Sequence, residues 1–246
     1  MALIHSLECE GKWLFKYRGQ IPVFLFIAVI PVIWCTNYSD FPSLETMIIL
    51  CIGIFVSSLG QGLRAYTVGT TPAGTSGRNT KEQVAEELNQ SGIYSIVRHP
   101  LYLANYLMWI GIVISVMNAG FLIIVSLAYW LYYERIMFTE ERFLERKFGQ
   151  QYINWSLKVP AFLPSFASVL PAKEKFNLKA ILRREYSGFY ATVIGFLFVQ
   201  YLIEAKSGHW MPSRQVIIVF SVATVLTLLL RLLKRKTILL NDYSIV

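Results

Sequence analysis

The sequence predicts an all-α, polytopic transmembrane helical bundle of about six helices with both termini in the cytosol. Three observations lead there. Hydrophobic residues make up 55% of the 246-residue chain and charged ones only 15%, whereas a soluble domain carries about a quarter charged residues; mean hydropathy is +0.48. Apolar runs recur at lengths suited to a hydrocarbon core of about 30 Å, which takes roughly 20 helical residues to cross. Basic residues, finally, are segregated to alternate connectors.

The first run, 20–36, follows a polar stretch containing Glu8, Glu10, Lys12, Lys16 and Arg18. No small-residue cleavage site follows it, so it reads as a retained helix. A short loop, Asn37 to Ser43, leads to the second run, 44–63. The third and fourth, 102–117 and 119–138, are joined by the tight Met117-Asn118-Ala119-Gly120 turn. The fifth and sixth, 187–204 and 215–233, connect through Ala205 to Arg214. The first and third are short and need extended ends or a thinned bilayer. Six spans leave no room for a separate soluble unit, so 1–246 reads as a single membrane domain.

With the N-terminus in the cytosol, 21 of the 23 Lys and Arg fall on the inner side, counting Arg135 and Arg231 at inner helix ends. Only Lys206 and Arg214 fall outside. This is the positive-inside pattern. The net charge of +8 therefore reports orientation and contact with anionic lipid headgroups, and no nucleic acid is needed to explain it. Cys9, Cys35 and Cys51 form no CxxC or metal spacing; Cys35 and Cys51 read as small apolar fillers.

The first long inner connector opens on a Gly/Thr/Ser-rich loop, 69–80. It lacks the lysine that a phosphate-cradling P-loop carries after its second glycine. Its amides and Arg78 can hold an anionic headgroup, or the loop is plain surface. Thr80 and Gln83 form a capping box that predicts a short polar helix to about Asn89.

Two stretches carry the chemistry. In the first, Gly92 to Tyr102, Pro100 suits the first turn of a helix. Arg98 and His99 then stand at a helix mouth whose free amides attract an anion. Tyr94 and Tyr102 flank that point and offer ring faces to a cation. The alternative is a snorkelling arginine beside aromatic anchors. In the second stretch, Glu134, Phe138, Glu141 and Glu145 form one helical stripe, and Arg135, Thr139, Arg142 and Arg146 the next. Glu134 lies inside an apolar run, where an ionisable residue is a functional candidate, or it snorkels. S-adenosylmethionine carries a carboxylate, an ammonium, a sulfonium and an adenine. Arg98, His99 and the helix mouth suit its carboxylate, Glu140 or Glu141 its ammonium, and the tyrosines its sulfonium or adenine.

The spaced residues Gly92, Tyr94, Arg98-His99-Pro100, Tyr102, Glu140-Glu141, Leu144, Phe148-Gly149, Tyr152, Val159-Pro160 and Pro164 resemble the isoprenylcysteine carboxyl methyltransferase family, whose relatives include phospholipid N-methyltransferases. The resemblance covers about 60–165, a cofactor-binding core, and leaves 166–246 as a C-terminal extension with two further helices. It implies an S-adenosylmethionine site built from Tyr94, Val97, Arg98, His99, Pro100, Leu101 and Tyr102 with Glu140 and Glu141, facing the cytosol of a membrane taken by default as a bacterial inner membrane. The acceptor, a membrane lipid or lipidated substrate, would enter sideways from the bilayer. One departure is Ala104, where a glycine is common; it bears on how closely the helix approaches the cofactor.

Methyl transfer from a sulfonium is an in-line displacement, so alignment dominates. An anionic acceptor needs no general base, whereas an amine must lose a proton. The basic side chains Arg78, Arg98, Arg135, Arg142 and Arg146 favour an acidic headgroup, phosphate or carboxylate, over a phospholipid amine. Arg142 and Arg98 are the expected catalytic contacts, with Arg78, Glu134 and Arg135 expected at the acceptor. The competing readings are a membrane NADPH-dependent reductase and a non-enzymatic lipid-binding or transport protein. Polar residues on one face, away from the midplane, weigh against transport.

Overall fold

A computed structural model describes residues 2–72 and 85–236. Among them are eight α-helices and no strand: α1 (Leu3–Tyr17), α2 (Ile21–Cys35), α3 (Ser43–Gly69), α4 (Pro100–Ile114), α5 (Ala119–Phe148), α6 (Gln150–Ser156), α7 (Leu178–Lys206) and α8 (Arg214–Lys236). The six apolar runs correspond to α2, α3, α4, α5, α7 and α8. Of these, α3, α5, α7 and α8 are long and apolar enough to cross a membrane. The 15-residue helices α2 and α4 span about 22 Å at 1.5 Å per residue, short of the hydrocarbon core as the sequence implied. Exposed large side chains such as Phe24, Phe55, Ile124, Leu127 and Val222 form the apolar surface that a bilayer covers. The protein is thus an integral membrane bundle.

Successive apolar helices run up and down, and short polar ties pin their ends. At one end Asn177 N–H donates to the Gly69 carbonyl (2.8 Å), joining the start of α7 to the finish of α3. At the other, Lys206 Nζ donates to the carbonyls of Ile33, Trp34 and Thr36 at the end of α2. Tyr38 and Asn118 bind Val116 and Thr36 there, closing α2 onto the α4–α5 turn.

The closest helix pair is α3 with α4, and small residues make it so. Gly53, Ser57 and Gly60 on α3 face Ala104, Met108 and Gly111 on α4. Ser57 Oγ donates to the Met108 carbonyl at 2.6 Å. A Cβ on Gly60 would lie 2.6 Å from the Ala104 oxygen, so only glycine permits the approach. In lipid, where there is little hydrophobic drive between helices, such close backbone contact is the main source of association. Ala104, fully buried, faces α3, which places its departure from the common glycine in helix packing.

Three further differences concern elements. Residues 3–17 form a helix, α1, docked along α5, where the sequence offered only a polar leader. Thr80, Gln83 and Arg78 lie outside the described residues, and 85–89 are not helical, so no polar helix reaches Asn89. Cys35 and Cys51 are exposed on the bundle surface, where they fill no interior gap.

Candidate active site

The site forms where the chain enters α4. Pro100 opens the helix, and its missing N–H costs nothing there. The preceding residues 92–99 are not left to solvent, because a strap, 160–170, pairs with them. Arg98 N–H donates to the Pro160 carbonyl (2.9 Å) and His99 N–H to that of Ala161 (3.1 Å). Ser165 N–H donates to the Ile96 carbonyl (3.0 Å), and Gly92 N–H to that of Leu170 (3.1 Å). This explains why the Val-Pro pair belongs with the distant Arg-His-Pro segment: the strap fixes the backbone that carries Arg98 and His99. Gly92 and Gly149 both have positive φ, +59° and +54°, which an L side chain resists.

The inner end of α5 supplies the carboxylates. His99 Nε2 lies 2.9 Å from Glu141 Oε1, and Nδ1 lies 3.7 Å from Glu140 Oε2. Tyr102 donates its phenol to Glu140 Oε2 at 2.8 Å. Arg98 Nη2 stands 3.3 Å from Glu141 Oε1, and Nη1 donates to the Ser156 carbonyl. His99 and Tyr102 stack with ring centroids 5.5 Å apart, and Tyr129 donates to the Tyr102 carbonyl at 2.7 Å. His99 and Tyr102 are buried, while the side chains of Glu140 and Glu141 remain 32% and 24% exposed. The cluster therefore opens on its carboxylate side.

Two buried polar atoms at this place have unmet hydrogen-bonding capacity: Arg98 Nε and the Tyr152 hydroxyl. Buried polar groups are rarely left so, and a polar ligand between α4, α5 and α6 would satisfy them. Burial, reinforced by Glu140, pushes the Tyr94 phenol well above its ordinary pKa. Burial and Glu141 do the same for Tyr152. Both stay neutral O–H donors.

Comparison with known proteins fits this geometry. Residues 46–151 match the family model described as phospholipid methyltransferase. Similar curated proteins include two named protein-S-isoprenylcysteine O-methyltransferase. The one from Dictyostelium discoideum is 27% identical over 67% of this chain and 69% of its own length. The one from Saccharomyces cerevisiae is 30% identical over 50% of this chain and 52% of its own. The chain is thus similar to isoprenylcysteine and phospholipid methyltransferases, with the family match falling on residues 46–151. A shorter match, 35% identical over 30% of this chain and 34% of the relative, is to the cobalt-zinc-cadmium resistance protein CzcN of Cupriavidus metallidurans. The chain thus spans between a third and about two thirds of these relatives. No solved structure matches it.

Both halves of the cluster, Arg98 to Tyr102 and Glu140 to Glu141, fall inside the methyltransferase-family segment, whereas α7 and α8 lie beyond it. Of the other residues singled out in the sequence, Val97 and Pro100 are fully buried and support the backbone; Leu101 is half-buried in the first turn of α4. Arg135 pairs with Glu10 (2.9 Å) and Arg146 with Glu8 (2.6 Å), so part of the basic stripe docks α1. Arg142 pairs with Glu145 at 2.5 Å. Glu134 is exposed on α5, away from the buried Tyr133–Met137 face, and Arg78 is outside the described residues.

The sequence reading missed a second polar node in the membrane domain. Arg64 on α3 forms an ion pair with Glu185 on α7, whose side chain is only 4% exposed, and donates to Asn105 Oδ1 on α4 at 2.7 Å. The rule that flags ionisable residues in apolar runs would have found Arg64 and Glu185 had it been applied beyond Glu134. The tyrosines Tyr129 and Tyr133, stacked 4.1 Å apart beside Tyr102, were also passed over as span residues.

Proposed function

We propose that this protein transfers a methyl group from S-adenosylmethionine to a membrane-embedded lipid or lipidated acceptor with an acidic headgroup, a carboxylate or phosphate. The observation that carries the reading is the Arg98–His99–Glu140–Glu141–Tyr102 cluster at the mouth of α4. A cation, two carboxylates, an imidazole, and buried donors without partners form a set that suits an amino-acid-bearing sulfonium cofactor. When bound, S-adenosylmethionine supplies an electrophilic methyl. Arg98 and the first turn of α4 would hold a carboxylate. Glu140 and Glu141, on the open side, would hold an ammonium, and the faces of Tyr94 and Tyr102 would lie against the positive sulfur.

The acceptor then needs alignment and exclusion of water. An ionised carboxylate or phosphate brings its own nucleophilic oxygen, so the chain need remove no proton. Arg142, whose buried Nε lacks a partner, is the group to orient that oxygen. The names of the Dictyostelium and yeast relatives specify O-methylation of an isoprenylcysteine, which is a carboxylate acceptor. By the positive-inside pattern the cluster faces the cytosol.

The test is transfer of labelled methyl by purified protein to three acceptors in parallel: N-acetyl-S-farnesylcysteine, phosphatidic acid and phosphatidylethanolamine. The expected result is label on an acidic acceptor, as a base-labile methyl ester on the farnesylcysteine or a base-stable methyl phosphodiester on phosphatidic acid. Label confined to phosphatidylethanolamine would overturn the acidic headgroup, and no transfer to any of the three, nor to a total membrane lipid extract, would overturn the activity.

A further inference from the structure

A cavity of about 500 Å³ lies away from the cluster, between α3, α7 and α8. Its α3 wall includes Ile54, Ser58 and Gln61, spaced at i, i+4 and i+7 on one helix face. Its α7 wall includes Phe189, Thr192 and Phe196, likewise on one face. Arg64 and Glu185 continue these same two faces by one more turn toward the active site, where they form an ion pair. From Leu50 to Gln61 the slot runs eleven residues, about 16 Å at 1.5 Å per residue, close to half the roughly 30 Å hydrocarbon core.

We propose that this slot holds one hydrocarbon chain of the acceptor lipid, whose first polar group donates a hydrogen bond to Gln61 Oε1. The inference rests on the membrane methyltransferase reading and adds to it where the acceptor's chain lies. Three features argue for a chain as occupant. Helices bound the slot on three sides, and its volume is far below that of a partner helix, so it is no docking face. Its walls are mostly apolar and it opens toward lipid, so hydrocarbon from the bilayer is the occupant at hand. Gln61 Oε1 is a buried acceptor with no hydrogen-bond partner at the inner end, where an unmet polar atom is costly. An occupant with an N–H or O–H next to its chain satisfies it. Arg64, one turn further on, ties the slot to Asn105 of α4, the helix that carries the active-site cluster. The α7 and α8 walls lie beyond the family segment, so the slot is a contribution of the C-terminal helices, for which the family core gives no role.

The experiment uses the full chain in lipid nanodiscs and an N-hexadecanoylglycine carrying a photoreactive diazirine on its chain, whose amide N–H adjoins the chain and whose carboxylate is the acidic headgroup, with labelled peptides mapped by mass spectrometry. Saturable labelling of 50–58 and 192–197, competed by unlabelled N-hexadecanoylglycine, is expected. Gln61→Leu should weaken it about five-fold, the effect of one lost hydrogen bond, and Thr192→Phe should abolish it by filling the slot. Ser58→Trp, at an exposed position, fills the slot from the lipid side should Thr192→Phe fail to fold. Non-saturable labelling spread over the lipid-facing sides of α2 and α5, or labelling unchanged by the filling variants, would overturn the proposal. Saturable slot labelling in a protein that transfers no methyl group would remove the enzymatic reading and leave a lipid slot; methyl transfer without slot labelling would remove the slot alone.

Discussion

Replacing Gly60 with alanine tests whether the α3–α4 seam sets the active-site geometry. An alanine Cβ at this position would lie 2.6 Å from the Ala104 carbonyl oxygen, 2.7 Å from the Met108 nitrogen and 2.9 Å from Leu107 Cβ. Ordinary contact begins near 3.4 Å, so α4 must retreat by about 0.8 Å, and two of the three obstacles are backbone that no rotamer change can move. Overpacking of this kind costs about 1–3 kcal/mol. Alanine's higher helix propensity returns about 1 kcal/mol at most. The clash wins, with a net loss of up to about 2 kcal/mol. Because α4 begins at Pro100, its displacement moves Arg98 and His99 against Glu140 and Glu141, and misplacement by about 1 Å can cost on the order of 100-fold in rate. Gly62→Ala is the internal control, since nothing lies within 4 Å of its Cβ. Thermal unfolding in detergent, together with S-adenosylmethionine affinity, should show Gly60→Ala melting lower and binding more weakly, with Gly62→Ala at or above wild type. If Gly60→Ala were as stable and bound as tightly as Gly62→Ala, the seam would not govern the site.

Arg64→Gln breaks the ion pair with the buried Glu185 and should cost up to about 3–5 kcal/mol; the Arg64→Met/Glu185→Leu double variant should lose much less, as read by denaturant or thermal unfolding. The Glu8–Arg146 contact should make α1 docking acid-sensitive. The hydrogen bond from Arg146 holds the Glu8 carboxyl below its ordinary pKa. That stabilisation is therefore complete above the usual glutamate range and fades as pH falls through the lowered folded value. Arg146 is half exposed, so the contribution is at most about 1 kcal/mol. Protection factors of α1 amides, corrected for the intrinsic pH dependence of exchange, should fall on acidification in wild type but show little change of this origin in Glu8→Gln. Tyr102→Phe removes the phenol donor to Glu140 and should weaken S-adenosylmethionine binding by about 1 kcal/mol, less than His99→Ala; equal losses would mean that Tyr102 acts mainly through packing.

The six apolar helices were readable because bilayer thickness imposes a length on each, and even the short α2 and α4 followed from their runs. The meeting of Arg98, His99 and Tyr102 with Glu140 and Glu141 was foreshadowed by chemical complementarity and by spaced motifs, and the structure brings these side chains within hydrogen-bonding or ion-pairing reach. Other features were hidden for physical reasons. The helix α1 is amphipathic and polar overall, so no hydropathy signal marks it, and its ion pairs with Arg135 and Arg146 show only in three dimensions. A charge near the end of a span either snorkels or is buried, and sequence does not distinguish the exposed Glu134 from the buried Glu185. The small residues Gly53, Ser57 and Gly60 are spaced as a packing face, a pattern visible in the chain yet masked within a general search for apolar length. The strap 160–170 has no regular structure, and its pairing with 92–99 depends on long-range backbone hydrogen bonds that no local pattern encodes.

The most direct test of the central claim is calorimetric titration of S-adenosylmethionine into the purified protein with lipid present, wild type beside Glu141→Ala and His99→Ala. The cluster at the mouth of α4 predicts saturable one-site binding, weakened at least about ten-fold by each substitution, as loss of a charged hydrogen-bonding partner entails. Absence of binding by a folded, monodisperse wild type, or undiminished binding by Glu141→Ala, would contradict it.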